Sequence, residues 1–161
     1  MAKTSSGKMT IIVFSGEMDK VMAAFILAVT AASMGKEVVM FFTFWGLNVV
    51  KKGDIIWDKG LMRLMLSVMN RGGVSRLPLS KLDMFGVGRW MMKKLMKDSK
   101  VSSIEEMIAN AKKLGVKFYA CTTTMGVMGL EKHNFIPEVD GFVGAAKYLE
   151  HASEAEVNLF V

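Results

Sequence analysis

Met9-Thr-Ile-Ile-Val-Phe14, then Ser15-Gly-Glu-Met-Asp-Lys20, then an apolar run from Val21 to Met34: this order of segments decides the fold class. The first segment is short, apolar and rich in β-branched residues, the pattern of a buried strand. Ser15-Gly16-Glu17 reads as a strand-to-helix turn, with acidic residues where a helix begins. Val21 to Met34 is helix-length and apolar nearly all round, and Gly35 is well placed as its C-terminal stop. Such a helix needs cover on every side, so one side is expected against a sheet and another against a second subunit. Glu37 to Phe44 is the next expected strand. Val38, Val39, Met40, Phe41 and Phe42 run without alternation, as in strands buried on both faces, before Trp45-Gly-Leu-Asn48 turns away. Strand, helix and strand make one βαβ unit with a right-handed crossover.

The middle of the chain is less regular. Asp58 to Asn70 is expected to be helical, with Leu61, Met62, Met65, Leu66 and Met69 at helix spacing, and Arg71-Gly-Gly73 breaks it. Leu77-Pro-Leu-Ser80 reads as extended, and Gly86 and Gly88 precede a second helix near Trp90 to Lys97. Ser102 and Ser103 each have Glu three residues on, which makes two overlapping capping boxes. Ile104, Met107, Ile108, Ala111 and Leu114 form the apolar stripe that follows, ended by Gly115. Val116 to Cys121 is the next strand, and Thr122-Thr-Thr124 can cap a short helix through Leu130. A strand at Asp140 to Val143, a helix over Gly144 to Ala155 and a closing strand at Val157 to Val161 complete the pattern. The expectation is a single α/β domain over residues 1–161, a three-layer α/β/α sandwich with about five mostly parallel strands. Residues 49–100 are expected to form a basic insertion over the sheet edge.

Composition narrows the function. The longest uncharged apolar stretch of the amino-terminal half, Val21 to Gly35, is shorter than the roughly 20 residues a spanning helix needs. No membrane span is therefore expected. Lys3 and Lys8 precede an apolar run that ends in Ser15-Gly-Glu17, unlike a secretory signal. One cysteine excludes an internal disulfide, and two histidines with one cysteine cannot build a structural zinc site. No metal or cofactor is expected. The net charge of +6 is uneven: residues 49–100 hold twelve Lys/Arg and four Asp/Glu, a net of +8, against −2 elsewhere. Trp57, Phe85 and Trp90 are the aromatics of that segment, and no recognition module is visible, so nucleic acid is not expected. A solvated helical face is the ordinary reading of the charge; an acidic partner or a small anionic substrate is the other. Sixteen methionines suit irregular cores and pliable contact surfaces.

Ligands of open α/β sheets bind beyond the carboxyl ends of the strands. Three turns fall on that edge: Ser15-Gly-Glu17, Thr43-Phe-Trp-Gly46 and Cys121-Thr-Thr-Thr124. Cys121 ends a strand and precedes a helix start, where unpaired backbone N–H groups favour a thiolate. A small buried hydrophobe is the ordinary alternative. His133, twelve residues on, could serve as a base, although a solvated loop histidine is the commoner case. His151 lies near Glu150 and Glu154 and reads as a surface residue. Neither a phosphate loop nor a nucleophile elbow is present.

Several segments together resemble a known family. They are Ile11-Ile-Val-Phe-Ser-Gly16, Ala23-Ala-Phe-Ile26, Phe41-Phe-Thr-Phe-Trp-Gly-Leu47, Leu77-Pro-Leu-Ser80, Met91-Met-Lys-Lys94, Ala120-Cys-Thr-Thr-Thr-Met-Gly-Val-Met-Gly129 and Val157-Asn-Leu-Phe-Val161. In one register over nearly the whole chain they resemble DsrE/DsrF/DsrH-like proteins, particularly the longer DsrE subgroup that carries a peroxiredoxin-like label. The resemblance implies an α/β/α sandwich, a place in cytoplasmic sulfur trafficking, and homo- or hetero-oligomers. It also implies a cysteine that carries sulfane sulfur, with TusA-like carriers and rhodanese-type proteins as typical partners. Cys121 matches that cysteine. The second cysteine of some relatives is missing here, so transfer must pass to an external acceptor or another subunit. The true peroxiredoxin motif is also missing. The function expected is therefore sulfur relay, with a persulfide on Cys121 loaded from an anionic donor and with or without sulfurtransferase turnover. Thr122, Thr123, Thr124 and Gly126 would form an anion-binding rim. Ser15, Gly16, Phe44 and Trp45 would wall the site, and Arg89, with Lys93 and Lys94, would steer the donor. A homo-oligomer is expected. A flavodoxin-like ligand-binding module and an oligomeric scaffold subunit are the alternatives.

Overall fold

Ile11, Val13, Met40, Phe42, Phe118 and Ala120 alternate along three neighbouring strands, and all six are wholly buried in one apolar layer. They belong to a computed structural model that describes residues 7–55 and 60–161. The described elements run β1 (Lys8–Val13), α1 (Met18–Ser33), β2 (Glu37–Phe42), α2 (Leu47–Val50), α3 (Leu61–Met69), α4 (Val87–Asp98), α5 (Ile104–Lys113), β3 (Lys117–Cys121), α6 (Thr122–Met128), β4 (Gly141–Val143), α7 (Ala145–Ser153) and β5 (Val157–Phe160). The five strands are all parallel, in the order β4-β3-β2-β1-β5. One row across the sheet reads Gly141, Tyr119, Phe41, Ile12, Phe160. The architecture is the expected three-layer α/β/α sandwich. No helix among the described residues is long and apolar enough to cross a membrane.

The layers follow from the alternation of side chains along each strand. Val38, Met40 and Phe42 face α1 and α5, whose Val21, Phe25, Met107 and Ile108 close the larger core. Phe41, Tyr119 and Cys121 face the other way, toward Tyr148 of α7. Tyr148 stacks on Phe41 at 4.9 Å between ring centroids, and its hydroxyl lies 3.1 Å from that of Thr10. The cover on α1 is one-sided. Met18, Val21, Ala24, Phe25, Ala28 and Ala31 are buried, while Ile26, Leu27 and Met34 are exposed.

Element boundaries depart from the expectation where polar ties intervene. The first helix begins at Met18, three residues early, because the Met18 N–H donates to Pro78 O at 2.7 Å and no side chain caps the end. Asp19 accepts the Ser80 N–H at 3.0 Å and also the Ser80 hydroxyl. Those two ties anchor the long connection to the start of α1. Of the two capping boxes, the one from Ser103 to Glu106 forms and heads α5. The start of the helix expected from Asp58, and Trp57, lie outside the described residues.

The turns after β1 and β2 cross backbone to backbone, and two glycines make this possible. A Cβ on Gly46 would lie 1.9 Å from Val13 O, and one on Gly16 would lie 2.5 Å from Trp45 O. Behind this crossing, Lys51 is buried at 6% exposure. Its Nζ donates to Asn48 Oδ1 at 3.3 Å and to Asn70 O at 2.9 Å. Burial lowers the Lys51 pKa from 10.5 to about 8. Between those values the unfolded chain binds more protons at this residue than the folded one, so stability from this group rises with pH across that window. Denaturant unfolding at about pH 7.5 and about pH 10 is expected to show that rise in the wild type and to lose it in Lys51→Met. An equal rise in both proteins would show that Lys51 is not its source.

Candidate functional site

Cys121 is the last residue of β3 and the residue before α6, with extended backbone at φ −72° and ψ 115°. Its place on the strand turns its side chain to the α7 face, where Phe41 and Tyr148 pack against it and leave it 5% exposed. Apolar packing alone would make it inert, but the next turn supplies polar groups. The Thr43 and Thr124 hydroxyls lie 3.0 Å apart, and the Phe44 N–H donates to Thr124 Oγ1 at 3.4 Å. Burial of the thiol raises its pKa. Opposing that, the Thr124 N–H, whichever of the paired Thr124 and Thr43 hydroxyls does not give its proton to the other, and the Thr123 N–H favour the sulfur's anion, and together they hold it below the usual thiol range. A largely dry site with donors aimed at one sulfur favours an anion there, whether thiolate or persulfide.

The expected site residues do not all gather in one place. Thr124, Thr123 and the Phe44 backbone gather at Cys121. Thr122 and Gly126 are exposed on α6, and the Gly126 carbonyl accepts from Arg63 Nη2 at 3.4 Å. Ser15, Gly16 and Trp45 instead line a cavity of about 700 Å³ with Phe14, Asn48 and Phe160, and Cys121 is not in its wall. For Ser15 and Gly16, which follow β1, the reason lies in the strand order. β2 stands between β1 and β3, and two strand spacings of about 4.8 Å separate their ends. Phe44 lies between the two places, with its ring 5.2 Å from that of Phe14.

Arg89 is also elsewhere. Its Nη1 donates to Arg76 O at 2.8 Å and its Nη2 pairs with Asp83 at 3.3 Å, and no described hydrogen bond or cavity joins it to Cys121. Lys93 donates to Ser75 O at 2.9 Å, and Lys94 sits 5.7 Å from the Trp90 ring centroid. His133 is an exposed residue 3.5 Å from Glu131, as a solvated loop histidine should be. His151 stacks on Tyr119 and meets Lys8 Nζ at 2.9 Å.

Thr43 and Tyr148 are the neighbours of the thiol that sequence reasoning missed. Thr43 was visible as part of an edge turn. Only the pairing of Phe42 with Ala120 puts it beside Cys121. The alternation of β2 was the available signal for Phe41 and its partner Tyr148, since Phe41 shares the Cys121 face.

The pH dependence of Cys121 alkylation, scaled to its own plateau, is expected to give a midpoint below that of an unperturbed thiol. Thr124→Val removes a hydroxyl donor and leaves the backbone donors, so the midpoint is expected to move up. A midpoint unchanged in Thr124→Val would show that the hydroxyl does not support the thiolate.

Comparison with known proteins places this geometry. Residues 5–160 match the model of the DsrE/DsrF/DrsH-like family. The uncharacterized protein YrkE of Bacillus subtilis is 40% identical over 153 residues, covering 94% of this chain and 95% of that one. The sulfur carrier protein DsrE2 of Allochromatium vinosum is 35% identical over 156 residues, covering 96% and 98%. Among solved structures, the protein of unknown function MTH1491 from Methanobacterium thermoautotrophicum superposes with a TM-score of 0.58 at 11% identity, covering 95% of this chain and 98% of that one. The ychN protein of E. coli superposes with a TM-score of 0.55 at 12% identity, covering 96% and 99%. Those two share the fold, and the match of sequence over nearly the whole length goes further: the chain belongs to the DsrE/DsrF/DrsH-like family.

Proposed function

We propose that this protein is a cytoplasmic sulfur-relay protein that carries sulfane sulfur as a persulfide on Cys121. The observation that carries the reading is the buried thiol whose anion Thr43, Thr123 and Thr124 favour. Kinship with a protein named as a sulfur carrier supports it. Loading from thiosulfate needs no oxidant. The Cys121 thiolate attacks the outer sulfur, the S–S bond of thiosulfate breaks, and sulfite leaves with the bonding pair. The terminal sulfur on Cys121 then bears the negative charge, beside the same donors. Unloading is the same step with an acceptor thiolate as the nucleophile, and it regenerates the Cys121 thiolate.

Because the chain has one cysteine, the acceptor belongs to another subunit or another protein. TusA-like or rhodanese-type carriers fit that role. Exposed Thr122, Thr123 and Gly126 form the rim at which donor and acceptor would meet the buried sulfur.

The same family reading carries a homo-oligomer. Its physical support is an apolar surface open to solvent. On α3, Leu61, Met62, Met65 and Met69 are exposed while Ser67 is buried. Before and along α4, Phe85, Trp90, Met91 and Leu95 are exposed, Phe85 completely. Isolated soluble monomers rarely leave so much apolar surface uncovered.

Mass spectrometry after incubation with thiosulfate, polysulfide or a persulfidated carrier is expected to show the mass of one added sulfur, lost on reduction and absent from Cys121→Ser. If no donor adds sulfur to the wild type, the relay reading fails. Light scattering at micromolar concentration is expected to give an assembly of more than one copy, shifted toward monomer by Phe85→Ser combined with Trp90→Ser. A stable wild-type monomer would refute the assembly.

A further inference from the structure

A directed chain of hydrogen bonds lies two strands away from the thiol. Lys51 Nζ can only donate, so Asn48 must present Oδ1 to it, at 3.3 Å. The Asn48 Nδ2 then donates to Asn70 Oδ1 at 2.6 Å. This leaves Asn70 Nδ2, a donor sealed from water, with no acceptor among the described residues. Lys51 and Asn48 are both more than nine-tenths buried, so the chain is a fixed part of the interior. A cation stands at its root and an unused N–H at its end. The missing partner is an acceptor, and the positive root favours a negatively charged one.

Asn48 and Asn70 line two adjoining cavities. The smaller, of about 320 Å³, is also lined by Arg71, Arg76 and Arg89, and no side-chain carboxylate among the described residues is in its lining. Arg76 and Arg89 are held in place, the first by Gly53 O at 3.2 Å and the second by Arg76 O and Asp83. Guanidinium groups present planar pairs of donors that match oxyanions. The larger cavity, of about 700 Å³, shares Asn48, Asn70 and Pro78 with the first, and Phe14, Trp45 and Phe160 give it an aromatic lining. Among the described residues the side-chain carboxylate in its lining is that of Glu17, which is paired with Lys20. This cavity lies where the strand order reverses, with β2, β3 and β4 on one side of β1 and β5 on the other. Ligands of open α/β sheets bind at such a switch point.

We propose that the two cavities form one binding site for a small organic anion, its oxyanion head among Arg71, Arg76, Arg89 and Asn70 and its flat apolar body against Phe14, Trp45 and Phe160. The site is separate from Cys121 and does not rest on the sulfur-relay reading. It also gives Arg89 a role where the structure puts it, at the head of this ligand. A head group alone could come from inorganic phosphate, whereas the aromatic chamber selects a ligand that carries a body as well.

Calorimetric titration of the full chain with phenyl phosphate and with inorganic phosphate separates those sources. Both are expected to bind, phenyl phosphate about tenfold tighter or better from burial of its ring. Arg71→Gln with Arg76→Gln is expected to weaken both ligands about tenfold or more. Arg71→Gln alone, at an exposed residue, should weaken both in the same direction without risk to folding. Trp45→Ala is expected to remove the advantage of phenyl phosphate and leave inorganic phosphate unchanged. Thermal melts of each variant without ligand confirm that it folds. Absence of binding by either phosphate, or affinity unchanged in the folded arginine variants, would overturn the proposal. Equal affinity for the two phosphates would overturn the two-chamber site.

Discussion

Burial of β2 on both faces is the constraint on which the rest of the structure depends. Val38 to Phe42 are all buried, with no polar residue among them. A strand of this kind is stable only at the centre of a sheet with helices above and below. One face takes α1 and α5, and the other takes α7, whose Tyr148 fits against Phe41. Covering Phe41 also covers its neighbour on β3, so the environment of Cys121 follows from the need to shield β2. The thiol is drier than a reactive cysteine on a loop would be, and its acidity has to come from hydrogen bonds.

That balance distinguishes the site. Burial and donation act on the same sulfur with opposite sign, and donation wins. The donors come from two chain segments, Thr43 after β2 and Thr123 with Thr124 at the start of α6. Parallel register brings the ends of the two strands level, so the threonine hydroxyls can pair. A slip of one residue between β2 and β3 would send Phe41 or Cys121 to the opposite face and break up the site.

The connection between β2 and β3 is held by polar ties more than by apolar burial. Met18 to Pro78, Asp19 to Ser80, and Asn48 to Asn70 join it to the ends of β1 and β2. Its methionines and leucines point largely outward. Apolar pattern was therefore a good guide to helix positions here and a poor guide to burial. In α3 the residue turned inward is Ser67, while the methionines at helix spacing face solvent.

Fold class and the order of the elements are legible in the local sequence. Uninterrupted apolar strands, the stop at Gly35 and the Ser103 capping box are local signals, carried by residues within a few positions of one another. The sequence also singles out Cys121, because a lone cysteine between a strand and a run of threonines can be read without coordinates. Which residues surround that cysteine, and which do not, follows from the packing of the folded chain. Ser15 shares an edge with Cys121 yet belongs to another cavity, because it follows β1 and strand order is a long-range property. Thr43 joins the thiol through register, and Lys51, Asn48 and Asn70 join one another across up to 22 positions of chain. Contacts of this range depend on how whole layers pack, and no local periodicity encodes that packing.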